Sequence, residues 1–64
     1  MRNPDRLNDF YDGLKAIHKL SFPDLRFGQL ISNFIYWYGN DIFYLEESDF
    51  MKLFIQFTGD MKNA

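Results

Sequence analysis

The residues of this chain that could do chemistry begin with a single histidine and two polar residues that follow it. His18 is the only histidine, and Ser21 and Asp24 come shortly after it. A nucleophilic serine needs a base and an orienting carboxylate held in hydrogen-bonding geometry. Three residues this close along one chain do not define that geometry. We therefore predict that His18 lies at the edge of a core and that the chain is not an enzyme. An enzyme that uses His18 with a carboxylate ranks third, after a protein-binding module and a small nucleic-acid-associated regulator.

Two groups of carboxylates are the other candidates for chemistry. One has helical spacing near the start of the chain and the other crowds a later segment: Asp5, Asp9 and Asp12, and Glu46, Glu47 and Asp49. Mg²⁺ and Ca²⁺ need convergent oxygen ligands, usually from a loop or from several elements. A helix N-terminus, by contrast, favours negative charge without any metal. We expect the first group to form a solvated helix face and the second to begin a helix. The predicted site therefore has no metal, cofactor or catalytic residue.

Length and composition limit the kind of fold that can position these residues. Sixty-four residues make one domain, spanning residues 1–64, and a chain this short buries only about 60% of the surface that it exposes when unfolded. The absence of cysteine excludes disulfides and a Cys/His zinc site. Aromatic residues make up 20% of the chain and valine is absent, which favours helices over sheet. Stability must come from an aromatic core, from self-association or from both.

Charge and hydropathy restrict the classes of partner that this chain could bind. The net charge is −2 and the isoelectric point is near 5.0, with basic residues scattered along the chain, whereas nucleic-acid binding needs a basic surface. No apolar run approaches the ~20 residues that span a bilayer. The N-terminus has no hydrophobic core of a signal peptide. We expect a cytoplasmic protein that binds no membrane, no nucleic acid and no small-molecule substrate.

The apolar spacing predicts an all-α domain of three helices, with a short extended connector between the second and the third. The first helix covers residues 4–19, with Asn3 as its N-cap. The second covers residues 25–38, with Asp24 as its N-cap and Gly39 as its left-handed C-terminal residue. The third begins between residues 46 and 48 and is ended near residue 58 by Gly59.

The second helix has the widest apolar face, an arc of roughly 160° that exceeds the stripe of an ordinary surface helix. Its members are Phe27, Leu30, Ile31, Phe34, Ile35, Trp37 and Tyr38. We therefore predict that this helix is central, and that Phe34 and Trp37 are structural.

Some apolar residues lie outside the three predicted helix faces. Tyr36 points away from the arc of the second helix, and Met51 and Ile55 lie off the face of the third. Residues 42–45 (IFYL) form either an extended segment over the helices or an edge strand, and the sequence leaves both open. Excess apolar surface on a small domain marks a contact site. The predicted partner-binding residues are Tyr36, Ile42, Phe43, Tyr44, Met51 and Ile55.

Two short motifs, at residues 6–8 (RLN) and residues 23–31 (PDLRFGQLI), resemble those of small uncharacterised bacterial and phage proteins, including the YihD-type family. In that family a helix, a Pro-Asp-Leu turn and a helix containing Gln-Leu follow one another. The resemblance covers roughly the first half of the chain, which is shorter than the family members and lacks their C-terminal extension. It implies a small helical cytosolic protein without catalytic residues, and suggests an accessory protein that inhibits a host enzyme by binding it.

The function predicted from the sequence is a non-catalytic module that binds another protein or a second copy of itself. The alternative is a small nucleic-acid-associated regulator or an acidic mimic of nucleic acid. Apolar contact is expected to dominate, so Met51→Asp or Ile55→Asp should weaken a complex more than added salt does.

Overall fold

Three helices and a turn account for the architecture of the described part of the chain. The computed structural model describes residues 2–62, in which α1 spans Arg6–Ser21, α2 spans Phe27–Tyr38 and α3 spans Glu47–Lys62. Residues 2–62 contain no β-strand, so the predicted all-α class is confirmed. The connector at residues 42–45 is a turn and not an edge strand.

The residue that precedes α1 is Asp5 and not Asn3 as predicted, and a turn that was not predicted lies between them. The Asn3 side chain accepts a hydrogen bond from the Asp5 backbone N–H at 3.0 Å, as an N-cap does. The next amides bond three residues back, from Arg6 N–H to the Asn3 carbonyl and from Leu7 N–H to the Pro4 carbonyl. This tighter turn occupies residues 4–5, so the regular helix begins at Arg6 and not at residue 4.

The second helix begins two residues later than predicted. A turn closed by the Leu25 N–H and the Phe22 carbonyl (3.2 Å) carries the chain past Asp24, so Arg26 precedes the helix instead. The Arg26 backbone N–H donates to the Gln29 side-chain oxygen at 2.8 Å, which satisfies one amide at the helix start. At the other end Gly39 has φ of 78° and its N–H bonds the Ile35 carbonyl, so the predicted left-handed glycine is confirmed.

The third helix is longer than predicted, because it continues through Gly59 to Lys62. A tertiary contact holds the extra turn: the Trp37 indole N–H donates to the Asp60 carboxylate at 3.0 Å. The prediction that Gly59 ends the helix was therefore wrong. A glycine inside a helix costs only about 1 kcal/mol relative to alanine, which a tertiary hydrogen bond of similar size can offset.

Aromatic rings fill the core, and Phe34 lies at its centre. The ring centroid of Phe34 is 4.8 Å from that of Phe50 and 5.3 Å from that of Phe54. Trp37 is half-buried and its ring lies 5.6 Å from that of Phe57. Four side chains within residues 2–62 are fully buried: Leu30, Phe34, Phe54 and Phe57. Phe34 is thus a structural residue, as predicted, and Trp37 packs against the same cluster.

The central helix is α3, not α2 as predicted, because α3 packs against both other helices. The two helices α1 and α3 run in the same direction. Arg6 contacts Glu47 at the start of both helices, and Phe10 contacts Phe50 about one turn later. Since α1 and α3 are parallel, the chain must return from the end of α1 to the start of α3, and it does so through α2 and its two connections. Trp37, near the end of α2, bonds Asp60 near the end of α3, so the connector of residues 39–46 starts close to that end. It reaches the beginning of α1 at Ile42 and Leu45, which lie beside Leu7 and Phe10.

Candidate protein-binding surface

The connector between α2 and α3 forms a hydrogen-bonded turn that exposes two aromatic rings to solvent. Its i→i+3 hydrogen bond joins the Leu45 N–H to the Ile42 carbonyl at 3.0 Å. The Asp41 carboxylate accepts a hydrogen bond from the Phe43 N–H, also at 3.0 Å. Phe43 and Tyr44 are 77% and 86% exposed, and their rings meet edge to face at 4.9 Å. We call residues 42–45 the aromatic turn.

Two half-buried residues, Ile42 and Leu45, attach the aromatic turn to the helices. Both line a shallow groove with Leu7 and Phe10 of α1 and Phe50 of α3. Because the first and last residues of the turn face inwards, the two middle residues must face outwards. Ile42 packs against the core, so it supports the turn and offers a partner less surface than Phe43 or Tyr44 does.

The other predicted contact residues lie elsewhere on the molecule. Tyr36 is 91% exposed on α2, and Ile55 is 58% exposed on α3. Met51 is half-buried against α1, where its Cε would lie 3.3 Å from a Cβ added at Gly13. A single exposed apolar residue is normal on a soluble protein. Tyr36 and Ile55 therefore remain individual predictions, whereas Phe43 and Tyr44 form a contiguous pair.

A groove of about 470 Å³ runs between α1 and the start of α3. Its apolar lining includes Phe10, Gly13 and Met51. Two ion pairs lie along it, one between Arg2 and Glu46 and one between Arg6 and Glu47. We call it the α1–α3 groove. Four of its charged groups are paired in this way, and Asp9 adds one further carboxylate to the lining.

The Glu47 carboxylate has a perturbed pKa. Partial desolvation opposes its charge, but the hydrogen bond from Arg6 Nε at 2.6 Å and one from its own backbone N–H favour the ionised form. The positive charges of Arg6 and Arg2 act in the same direction. The pKa of Glu47 is therefore lowered from its ordinary value of 4.5. The shift belongs to an ion pair between helices and needs no catalytic role.

His18 has a structural contact. Its Nε2–H donates to the Leu25 backbone carbonyl at 2.8 Å, which ties the end of α1 to the turn that leads into α2. Ser21 is half-buried and Asp24 is exposed. Among residues 2–62, neither forms a side-chain hydrogen bond to His18, so the structure does not assemble the three into a triad.

The first group of carboxylates is exposed: Asp5, which precedes α1, and Asp9 and Asp12 within it. Within the described part of the chain, no three histidine, aspartate or glutamate side chains come close enough together to hold a metal ion. At the start of α3, Glu46 and Glu47 form ion pairs with arginines while Asp49 is exposed.

A second apolar groove, of about 490 Å³, lies at the α1–α2 junction and was not predicted. We call it the junction groove, and it is lined by His18, Lys19, Pro23, Leu25, Arg26 and Phe27. Phe27 was expected on the buried face of the second helix but is 58% exposed. It is the first residue of α2, so the helix end leaves one side of its ring open. The proline and the two phenylalanines of residues 21–27 (SFPDLRF) are the feature of the sequence from which this groove could have been predicted.

No helix within residues 2–62 combines the length and apolar character that crossing a membrane requires. Comparison of the chain with protein-family models, curated proteins and solved structures found no match.

Proposed function

We propose that this chain is a small, non-catalytic protein-binding module that acts in the cytoplasm and makes contact through the aromatic turn. One observation carries the proposal: Phe43 and Tyr44 are 77% and 86% exposed although the residues on both sides of them are held against the helices. Aromatic side chains dominate the energetics of protein interfaces. Rings fixed on a hydrogen-bonded turn also lose less conformational entropy on binding than rings on a mobile loop do.

The remaining polar groups are consistent with a role without catalysis. His18 is engaged by a backbone carbonyl, and Glu46 and Glu47 are engaged by arginines. None of the charged or polar side chains within residues 2–62 is fully buried. A catalytic acid or base is usually set apart by burial or by an unbalanced charge.

The similarity of residues 23–31 to small bacterial and phage proteins suggests the setting for such a module. There it would serve as an accessory protein that modulates a host enzyme by direct binding. An acidic mimic of nucleic acid is a weaker alternative, because arginines neutralise two of the carboxylates at the start of α3. A mimic needs a dense and continuous charge.

Site-specific photo-crosslinking tests the proposal. A benzophenone amino acid replaces Tyr44 in one variant and Tyr36 in a matched variant, because both tyrosines are almost fully exposed. Each variant is irradiated in an extract of the cells that encode the chain, and the adducts are separated by mass. We expect protein adducts from position 44 in clear excess over position 36.

Equal yields at the two positions would contradict the aromatic turn as the contact surface. The absence of adducts at position 44 would contradict protein binding through it. The mass of each adduct distinguishes a second 7.7 kDa chain from a different protein.

A further inference from the structure

We propose that the partner of the aromatic turn is a second copy of this chain, and that Phe43 and Tyr44 of one copy occupy the junction groove of the next. This inference rests on the proposed function, because it names the partner of the same surface. It specifies a head-to-tail contact between two different regions of the molecule.

The two regions lie at opposite ends of α1, so one chain cannot bring them together. The aromatic turn sits beside Leu7 and Phe10, whereas the junction groove includes His18 and Lys19. The sixteen residues of α1 span about 24 Å. The turn of a molecule therefore cannot reach the groove of the same molecule, but it can reach the groove of a neighbour.

The chemistry of the two surfaces is complementary. The turn offers two exposed rings, and the groove offers apolar contact from Pro23, Leu25 and Phe27. The groove also carries two cationic side chains, Lys19 and Arg26, which attract the faces of aromatic rings. Its volume of about 490 Å³ lies within the usual range of ligand-binding clefts, about 300–1,000 Å³.

Charge is distributed to favour the same pairing. The end with the aromatic turn carries six carboxylates and two guanidinium groups: Asp5, Asp9, Asp41, Glu46, Glu47 and Asp49 with Arg2 and Arg6. Residues 12–26 towards the other end carry three cationic side chains and two carboxylates: Lys15, Lys19 and Arg26 with Asp12 and Asp24. The end of α3 adds one charge of each sign, Asp60 and Lys62. An acidic end thus meets a basic end when molecules align head to tail, which steers their encounter.

A head-to-tail contact has a consequence that a two-fold symmetric contact lacks. An open assembly keeps a free turn at one end and a free groove at the other, so the same contact can repeat into a ring or an open chain. Two variants with opposite defects should therefore complement each other.

The test uses sedimentation velocity on the full chain and two double variants. The turn variant is Phe43→Ser with Tyr44→Ser, and the groove variant is Lys19→Glu with Phe27→Ser. All four positions are exposed, so circular dichroism should show native helix content in both variants. A third variant, Tyr36→Ser, removes an exposed ring outside both surfaces and serves as the control.

We expect the wild type and Tyr36→Ser to associate as concentration rises towards about 1 mM, the range of weak contacts. Each double variant alone should stay monomeric. Their equimolar mixture should form dimers and nothing larger, because one intact turn meets one intact groove. A monomeric wild type, a double variant that still associates or a mixture that stays monomeric would overturn the inference. A monomeric wild type together with an adduct to a different protein at position 44 would leave the proposed function standing.

Discussion

At the scale of single residues, Phe34 lies at the centre of the aromatic core. Its ring contacts those of Phe50 and Phe54, and it is fully buried. Phe34→Ala should destabilise the domain by about 3–5 kcal/mol, because the cavity cannot close around rigid rings. That approaches the whole stability of a small domain, about 5 kcal/mol. Thermal unfolding followed by circular dichroism measures the effect.

Tyr36→Ala is the matched control for this prediction, since Tyr36 is two residues away on the same helix and is 91% exposed. It should shift the midpoint little. Similar midpoints for the two alanine variants would show that Phe34 does not lie at the centre of the core.

Because of the ion pair of Glu47, the stability of the fold should change with pH in the acidic range. The pKa of Glu47 is lowered in the folded state, so the group stabilises the fold at pH values above its ordinary pKa of 4.5. That contribution is lost as the pH falls through the lowered folded-state pKa. Glu47→Gln should therefore reduce the thermal midpoint at neutral pH, and the difference from wild type should vanish in acid.

Asp49→Asn is the control, because it removes one exposed carboxylate from the same turn of α3. If both variants behave alike across pH, the effect of Glu47 comes from general charge at the helix start and not from Arg6.

At the scale of elements, two glycines that were both predicted to end helices have opposite roles. Gly39 adopts φ of 78°, whereas Gly59 lies inside α3 with no atom near its missing Cβ. Gly39→Ala should cost about 1–2 kcal/mol, because an L-residue is strained in the left-handed region. Gly59→Ala should stabilise by up to about 1 kcal/mol through helix propensity.

The two glycine variants are compared in one thermal unfolding experiment, in which each kcal/mol corresponds to about 4–8 °C for a domain of this size. The midpoints should move in opposite directions. A fall for both variants would mean that Gly59 is also a strained or crowded position.

The same two glycines show how far sequence could predict the elements. The end of α2 was predictable because a left-handed glycine is a local device. The end of α3 was not, because it depends on a hydrogen bond from Trp37 of α2 to Asp60, a contact between residues far apart in the sequence. The wide apolar arc of α2 likewise did not reveal that α3 is the helix in contact with both neighbours, since periodicity describes a face and not what covers it.

The candidate surface divides in the same way. The composition of residues 42–45 predicted an apolar connector and included Phe43 and Tyr44 among the contact residues. Which of the four face outwards depends on the hydrogen bond between Ile42 and Leu45 and on their contact with the helices. The junction groove depends on where α2 begins, which local capping residues placed two positions too early.

At the scale of the whole molecule, apolar contact and charge contribute differently to association. The rings of Phe43 and Tyr44 supply the contact, and the acidic and basic ends supply steering, which salt screens within about 10 Å at 0.1 M. Replacing both rings by serine should therefore weaken association more than raising the salt concentration does. Sedimentation velocity at low and high salt measures both effects.

Ile55→Asp extends this comparison, because the sequence predicted Ile55 as a contact residue while the structure places it away from both proposed surfaces. A strong effect of Ile55→Asp with none from the aromatic turn would move the contact to α3. Complete loss of association in salt, with no effect of either variant, would instead favour the acidic mimic.

A dilution series of ¹H–¹⁵N correlation spectra tests the central claim most directly, because it locates the contact residue by residue on the unmodified chain. We predict concentration-dependent shifts in two separate groups of amides, at residues 41–46 and residues 18–27, with little change at Tyr36 or in the middle of α3. Shifts confined to one group, centred on residues 51–55 or absent at the highest concentration would contradict the head-to-tail account.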